Sequence, residues 1–221
     1  MLFKDRRVAG QLLAQELAGF ANRPDVWVFA LPRGGVPVAY EIAQRLNLPL
    51  DVIVVRKLGV PNQEELAMGA IASGGVRILN EQILSQLDIS DDRIARIALN
   101  EERELERRER LYRNDKPFPD LQGHTVILVD DGLATGATMW AAIVALRKLQ
   151  PARIVIAVPV AAPQTCEDLE TQVDEIACIA APSPFYSVGL WYEDFPQTTD
   201  DEVRDLLIKA ANSHQPLSLG T

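Results

Sequence analysis

The sequence predicts an α/β fold in which a mainly parallel sheet is covered by helices on both faces. Short runs of strand length are apolar at nearly all of their inner positions, as is typical of parallel strands that are buried on both sides. Segments with the apolar spacing of helices alternate with these runs, which is the order of a βαβ fold. The 221 residues, 48% of them hydrophobic, are enough to bury such a sheet in one domain spanning 1–221.

The predicted elements alternate along the chain. The first helix, over 5–20, begins at Asp5, a residue type that caps helices. Strands are predicted over 26–31, 50–55, 125–130, 153–158 and 175–180. The remaining helices are predicted over 36–46, 90–114, 139–149, 164–171 and 199–211. Ser73, Gly74 and Gly75 indicate a hairpin within the Gly-rich stretch 56–80. The helix over 90–114 is strongly charged, which favours a solvated or subunit-packing helix.

The charge and the cysteines exclude several classes of protein. A net charge of −9 and a pI of about 4.8 disfavour binding to nucleic acid or to anionic membranes, so an anionic ligand needs local donors or a metal. Cys166 and Cys178 have neither the spacing nor the histidine neighbours of a zinc site. With no apolar run near ~20 residues and a polar N-terminus after Phe3, we expect no membrane partner and a cytoplasmic location.

The most informative segment is 126–139, where an apolar strand ends in Asp130 and Asp131 and a loop of small residues opens a helix. Ligands of open α/β sheets bind at the carboxyl ends of the strands, and such a loop presents unpaired N–H groups to an anion. Two carboxylates accept hydrogen bonds from a vicinal diol, so the segment predicts a ribose 5-phosphate site. The candidate residues for the 5-phosphate are Leu133, Ala134, Thr135, Gly136, Ala137 and Thr138.

The apolar strand, the Asp130–Asp131 pair and the run Thr-Gly-Ala-Thr at 135–138 resemble the PRPP-binding motif of type I phosphoribosyltransferases. The resemblance implies a five-stranded, mainly parallel sheet flanked by helices, with a small C-terminal hood over about 182–198 before the last helix. It also implies PRPP as substrate and Mg²⁺ as cofactor. Asp130 and Asp131 would be catalytic, holding the ribose and the metal, the latter directly or through hydroxyls or water. Family members are usually dimers or larger, so we expect a homo-oligomer.

Two further segments follow predicted strands and are expected at the same edge of the sheet. Arg33, Gly34 and Gly35 form a turn that would bind pyrophosphate through N–H groups and a guanidinium. In the resembling family this place holds the pyrophosphate loop, which commonly contains a strained or cis peptide. Arg56 and Lys57 end the second predicted strand and are candidate catalytic cations that would bind the pyrophosphate part of PRPP, with a solvated charge pair as the alternative. The Gly-rich stretch after them lies where the family has its mobile catalytic loop.

The segment 187–195 resembles the hood of purine-type phosphoribosyltransferases, which lines the base pocket. By this resemblance Trp191 or Tyr192 would stack on a base, at about 1–3 kcal/mol per ring, and Asp194 would accept from a base N–H. Packing of these aromatic rings in the core or at an interface is the alternative. The third acid and the lysine of 6-oxopurine enzymes are absent, because Ala134 and the stretch 159–163 occupy their places.

The hypothesis from the sequence is a PRPP-dependent phosphoribosyltransferase. A nucleobase, with a purine-like base as one candidate, or another nitrogen nucleophile displaces pyrophosphate from C1 of PRPP. Catalysis would come mainly from positioning and electrostatic stabilisation. The alternative from a different class is a regulator that binds PRPP or a nucleotide without turnover. A PRPP-dependent step outside base salvage is not separated from the first hypothesis.

Overall fold

The computed structural model describes residues 2–60, 63–80, 83–85, 90–114 and 116–214. Its strands are β1 (Val26–Ala30), β2 (Leu50–Val52), β3 (Val55–Val60), β4 (Gln63–Ala72), β5 (Val76–Leu79), β6 (Thr125–Val129), β7 (Arg153–Val160) and β8 (Glu175–Ala180). Its helices are α1 (Arg6–Glu16), α2 (Gly35–Leu46), α3 (Asp91–Arg113), α4 (Ala137–Lys148), α5 (Pro163–Glu170) and α6 (Asp200–Ser213). Short 3₁₀ turns span Ala18–Phe20 and Val188–Trp191.

The main sheet has five strands in the order β2-β1-β6-β7-β8, and every neighbouring pair is parallel. All five predicted strands are therefore confirmed, and the α/β class with them. β6 lies in the middle, between β1 and β7, so the loop after β6 leaves the carboxyl edge at the centre of the sheet. A position of this kind is where open parallel sheets place their ligands.

Alternate residues of the central strands pack into two cores on opposite faces of the sheet. Val28 and Ile127 face the first core, which also receives α1, α2 and α6. Phe29 and Leu128 face the second core, where α4 and α5 pack. Because both faces are covered, each central strand has to be apolar throughout, and this is what made the strands visible in the sequence.

The stretch after β2 differs from the sequence prediction. β2 ends at Val52 rather than at 55, and Val55 begins β3, the first strand of a separate antiparallel sheet, β3-β4-β5. The predicted hairpin is confirmed as β4 and β5, but β4 is long and also pairs with β3. Arg56 and Lys57 therefore lie inside a strand of this second sheet and not at the end of a main-sheet strand. The prediction of their position was wrong because residues 52–55 are apolar throughout and conceal a break after Val52.

Helix α3, the charged segment, packs against this chain. Its stripe of Ile94, Ala98, Leu105 and Tyr112 is buried in the first core. Near its end, the Arg113 guanidinium donates to both carboxylate oxygens of Asp51, at 2.9–3.2 Å. The solvated character predicted for this helix holds only for its outer face.

The segment before α1 meets the hood beside the carboxyl edge of the sheet. Phe3 and Tyr192 form an isolated parallel bridge, and the Phe3 N–H donates to the Trp191 carbonyl at 2.8 Å. Their rings share a small third core with Phe195. The hood is thus anchored to the segment that leads into α1, whose first turn is capped by Asp5 through the Val8 N–H. None of the helices in the described part of the chain combines the length and apolar character needed to cross a bilayer.

Candidate functional site

The acid pair follows directly after β6. The Asp131 N–H donates to Asp130 Oδ1 at 2.8 Å, which fixes the first carboxyl against the backbone of the second. Burial, together with the negative charge of Asp131, raises the pKa of Asp130 well above the usual aspartate value. Two acids held this closely lack sufficient compensating positive charge, which favours binding of a cation or of hydroxyl donors.

Among the residues that the structure describes, Arg6 is the cation that contacts the pair, and the sequence prediction did not include it. Its Nε donates to Asp131 Oδ2 at 2.8 Å, and a second nitrogen donates to the Pro196 carbonyl at 2.7 Å. Its guanidinium lies 3.7 Å from the centre of the Phe195 ring. A signal was present, since Arg6 has helical spacing with the buried Ala9 and Leu13 and so places a charge on the buried face of α1.

Tyr192 belongs to the support of the acid pair. Its hydroxyl donates to the Asp131 carbonyl at 2.6 Å, and its ring stacks on Phe195, with a centroid distance of 4.7 Å. The side chain is 6% exposed, and burial raises the pKa of its hydroxyl. The sequence suggested Tyr192 as a surface for stacking a base. The structure corrects this, because both the hydroxyl and the ring already have partners inside the protein.

Trp191 and Asp194 lie on the same hood segment. Trp191 is half-buried, whereas Asp194 is exposed and is attached by its N–H to the Lys4 carbonyl at 3.0 Å. The hood therefore keeps these two side chains nearer to solvent than Tyr192. Val188 of the same segment packs over Gly132, where an added Cβ would lie 2.5 Å from its methyl group. This close contact places the hood beside the start of the phosphate loop.

The predicted phosphate loop is anchored at its start and open afterwards. Leu133 is buried, its N–H donates to the Val160 carbonyl and its own carbonyl accepts from Ala162, both at 2.9 Å. Leu133 is thus an anchor whose amide is already used. The Thr165 hydroxyl donates to the Ala134 carbonyl at 2.5 Å, and Gly136 has a φ of +67°, a conformation that favours glycine.

The amides after this anchor have no acceptor among the residues that the structure describes. Within the described parts of the chain, no hydrogen bond is made by the N–H groups of Ala134, Thr135, Gly136, Ala137 and Thr138. The side chains of Thr135 and Thr138 are exposed, and α4 begins at Ala137. The loop therefore presents adjacent N–H donors, hydroxyls and a helix N-terminus, the combination that binds phosphate in other α/β proteins.

The turn after β1 packs tightly against the acid pair. An added Cβ on Gly34 would lie 2.1 Å from Asp131 Oδ2, and one on Gly35 would lie 2.6 Å from the Val129 carbonyl oxygen. The peptide between Pro32 and Arg33 is cis, as the resemblance led us to expect. The Arg33 guanidinium is half-exposed and lies 3.8 Å from the Asp200 carboxylate. The two glycines are thus required for close approach, and Arg33 remains at the surface of the site.

Arg56 and Lys57 do not act as a pair in this structure. Neighbouring residues of a strand point to opposite faces, and here they have different surroundings. The Arg56 guanidinium is bound to Glu101 of α3, with N–O distances of 2.6 and 2.7 Å. Lys57 is exposed and lines a cavity beside Thr135 and Gly136. The expectation that both bind the same pyrophosphate is therefore not supported by their directions.

The fold built around these residues is that of the type I phosphoribosyltransferases. The family model of the phosphoribosyl transferase domain matches residues 4–190 of this chain. The chain therefore belongs to the phosphoribosyltransferase family. It is 43% identical over 209 residues to "Putative phosphoribosyl transferase Rv0571c" of Mycobacterium tuberculosis, a match covering 95% of this chain and 47% of that protein. The chain thus spans about half the length of this relative.

A solved structure of similar size gives the same fold. The protein TT1426 of Thermus thermophilus is 41% identical, with a TM-score of 0.84 over 95% of this chain and 99% of that chain. The chain is also 38% identical over 132 residues to "Bifunctional protein PyrR" of Chloroflexus aurantiacus, covering 57% of this chain and 65% of that protein. These likenesses support membership of the family, while the substrate has to be argued from the site.

Proposed function

We propose that this protein transfers the phosphoribosyl group of PRPP to a nucleobase, or to another nitrogen nucleophile, with release of pyrophosphate. The observation that carries the proposal is the pairing of two elements at the end of β6. Asp130 and Asp131 offer carboxylates for a diol, and the N–H groups of 134–138, which have no acceptor among the described residues, follow in the loop that leads into α4. A ribose 5-phosphate carries the partner for each feature, a vicinal diol for the carboxylates and a phosphate for the amides.

The proposed reaction replaces one bond at C1 of the ribose. The C1–O bond to pyrophosphate breaks, and a bond from C1 to the acceptor nitrogen forms. Asp130 and Asp131 orient the ribose through its hydroxyls, while the loop amides hold the 5-phosphate. The half-exposed guanidinium of Arg33 and the N–H groups of Arg33 and Gly34 stabilise the pyrophosphate that leaves. The Gly35 N–H is not available, because it donates to the Leu31 carbonyl. Ala134 supplies no acid or base at the loop. The proton on the acceptor nitrogen is therefore lost to water, or the acceptor binds with that nitrogen already deprotonated.

The acid pair also fits a Mg²⁺ ion, a metal that prefers carboxylate oxygens and keeps several waters. Asp130 Oδ1 and Asp131 Oδ2 already accept hydrogen bonds. Asp130 Oδ2 and Asp131 Oδ1 receive none from an N–H or hydroxyl group of the residues that the structure describes. The raised pKa of Asp130 agrees with a position that gains from a nearby cation. When bound, Mg²⁺ would supply positive charge to the pyrophosphate of PRPP.

The acceptor side is proposed from the hood. With Tyr192 used internally, Trp191 and Asp194 are the remaining candidates for contact with a base, and a purine-like base is one candidate. A homo-oligomer and a cytoplasmic location, where a PRPP-dependent enzyme would meet its substrate, complete the proposal. No nucleic acid or membrane is needed as a partner.

A regulator that binds PRPP without turnover is the second candidate. It is favoured by the state of the two arginines expected at the pyrophosphate, because Arg56 is paired with Glu101 and Arg33 faces Asp200. A site in which the leaving group's cations are engaged elsewhere binds a sugar phosphate but activates it poorly.

The deciding experiment incubates the protein with PRPP, Mg²⁺ and a panel of nucleobases and follows pyrophosphate release. Release that depends on one base supports transfer. PRPP binding without release from any base supports the regulator. Asp131→Asn should weaken PRPP binding. Asp25→Asn is the matched control, because Asp25 precedes β1 at the other edge of the sheet and its carboxylate forms a largely exposed pair with Arg23. Equal PRPP affinity in both variants would contradict the role of the acid pair.

A further inference from the structure

The Asp200 carboxylate lies beside the turn that would bind pyrophosphate. Asp200 is the first residue of α6, and its Oδ1 is 3.8 Å from a guanidinium nitrogen of Arg33. This separation is too long for a hydrogen bond, so the two charges attract each other without a direct bond. Among the residues that the structure describes, no group accepts a hydrogen bond from the Arg33 guanidinium. Its N–H donors are therefore available to an anion.

The Tyr112 hydroxyl binds the same oxygen of Asp200. It donates to Oδ1 at 2.5 Å, a short hydrogen bond of the kind that a hydroxyl makes with a carboxylate. Tyr112 is the last residue but one of α3, and its side chain is buried in the first core. Burial, followed by the bond to Asp200, raises the pKa of this hydroxyl to about 12, so it remains a donor at neutral pH. A side chain fixed in the core thus positions a carboxylate that is half-exposed.

This hydrogen bond limits how closely Asp200 pairs with Arg33. The two side chains are 41% and 37% exposed, so each has room to move. The Arg56–Glu101 pair has no competing hydroxyl, and its guanidinium and carboxylate approach to 2.6 Å. Asp200 stays more than 1 Å farther from its arginine while it is bound to Tyr112, whereas such pairs ordinarily close to about 2.7–2.9 Å. A closer pair would occupy the N–H donors of Arg33 that an anion needs.

We propose that Tyr112 is a positioning residue for pyrophosphate recognition, because its hydroxyl holds Asp200 back from Arg33 and keeps that guanidinium available to the leaving group. The inference rests on the proposed function, since it takes Arg33 to bind pyrophosphate. It goes beyond that function by giving roles to one residue of α3 and one of α6. Both lie outside the acid pair, the phosphate loop and the hood.

The test measures the binding of inorganic pyrophosphate and, separately, of ribose 5-phosphate to the full chain by calorimetric titration. Tyr112→Phe keeps the ring in the core and removes only the hydroxyl. We expect this variant to bind pyrophosphate about threefold to fivefold more weakly, the effect of one partly exposed ion pair formed between Asp200 and Arg33. Its affinity for ribose 5-phosphate should be unchanged, because the bonds of Tyr112 and Asp200 do not involve the acid pair or the phosphate loop.

A second substitution separates positioning from a loss of packing. Asp200→Asn removes the charge that would compete for Arg33. The double variant Tyr112→Phe/Asp200→Asn should therefore bind pyrophosphate at least as well as the wild type. Tyr40→Phe is the matched control, because the Tyr40 hydroxyl accepts a hydrogen bond from Gln44 within α2 and its removal should change neither affinity.

The inference and the proposed function fail in different ways. If the wild type binds both ligands and Tyr112→Phe binds pyrophosphate equally well, the inference is overturned and the proposed function stands. A loss that persists in the double variant also overturns the inference, because the loss then does not come from the Asp200 charge. Binding of ribose 5-phosphate without binding of pyrophosphate removes the role of Arg33 and the inference with it. If neither ligand binds to the wild type, the proposed function fails as well.

Discussion

Arg6 and Asp131 form an ion pair that connects the first helix to the end of the central strand, with 2.8 Å between Arg6 Nε and Asp131 Oδ2. The two side chains are only 10% and 14% exposed. They are 125 positions apart in the chain, and Arg6 reaches the hood through the Pro196 carbonyl as well. The Arg6 guanidinium thus holds Asp131 in place and connects the candidate site to the hood.

Arg6→Gln should destabilise the protein strongly, because it leaves the Asp131 carboxylate buried without its cation. Breaking a buried pair costs about 3 kcal/mol, which corresponds to a fall of roughly 6–12 °C in Tm for a domain of this size. Thermal denaturation measures this. Arg23→Gln is the control, since the Arg23–Asp25 pair is 41% and 47% exposed and should contribute less than about 1 kcal/mol. Equal losses in both variants would show that the Arg6 pair is not special.

Asp130→Asn should raise the stability of the free protein at neutral pH while weakening binding of Mg²⁺ and PRPP. Because the folded-state pKa of Asp130 is raised, the folded protein holds this proton more tightly than the unfolded chain. The free energy of unfolding therefore falls as pH rises from about 3.9, the usual aspartate pKa, through the folded value. Asparagine does not titrate and so avoids this loss. At neutral pH the free energy of unfolding of the variant should exceed that of the wild type by about 1–3 kcal/mol, the usual cost of a poorly compensated buried group.

The measurement for Asp130 is Tm of the wild type and the variant between pH 4 and pH 8. The variant's advantage should be largest at the alkaline end and should vanish towards pH 4. A difference that does not change with pH would mean that titration of Asp130 is not its cause.

Gly34→Ala should damage both folding and binding, since the new methyl group would lie 2.1 Å from Asp131 Oδ2. Displacement of the carboxylate or of the turn costs about 1–3 kcal/mol, in the range of overpacked sites. Affinity for ribose 5-phosphate should fall with it. Gly19→Ala is the matched control, because nothing lies within 4 Å of its added methyl group. A Gly34→Ala protein that binds as well as the control would refute the close packing of the turn on Asp131.

Glu101→Gln should increase the affinity for pyrophosphate, because in the wild type the Glu101 carboxylate competes with pyrophosphate for the Arg56 guanidinium. An ion pair at about 30% exposure is worth up to about 1 kcal/mol, so a gain of about threefold is expected. Titration with pyrophosphate measures this. Glu104→Gln removes a carboxylate bound to Arg107 and Arg108 on the same helix and should have no effect. Weaker binding in Glu101→Gln would indicate that Glu101 positions Arg56 rather than withholding it.

The main sheet and the acid pair were predictable because their signals are local. Strands buried on both faces must be apolar throughout, and the loop from Asp130 to Thr138 is one contiguous segment. The second sheet was not predicted, since nothing in the run 50–55 distinguishes a chain that leaves the main sheet after Val52 from one that continues. Antiparallel pairing of β3 with β4 depends on contacts between segments and leaves no periodic pattern.

The sequence alone determined the α/β class, the five main strands and the segment most suited to a sugar phosphate, because each depends on neighbouring residues. Only the tertiary structure decided which side chains surround that segment. In the folded protein Arg6 pairs with Asp131, and the Tyr192 hydroxyl donates to the Asp131 carbonyl. Arg56 pairs with Glu101 and points away from Lys57. Partners far apart in the chain are chosen by how layers pack, and packing is settled by the whole fold rather than by any local stretch.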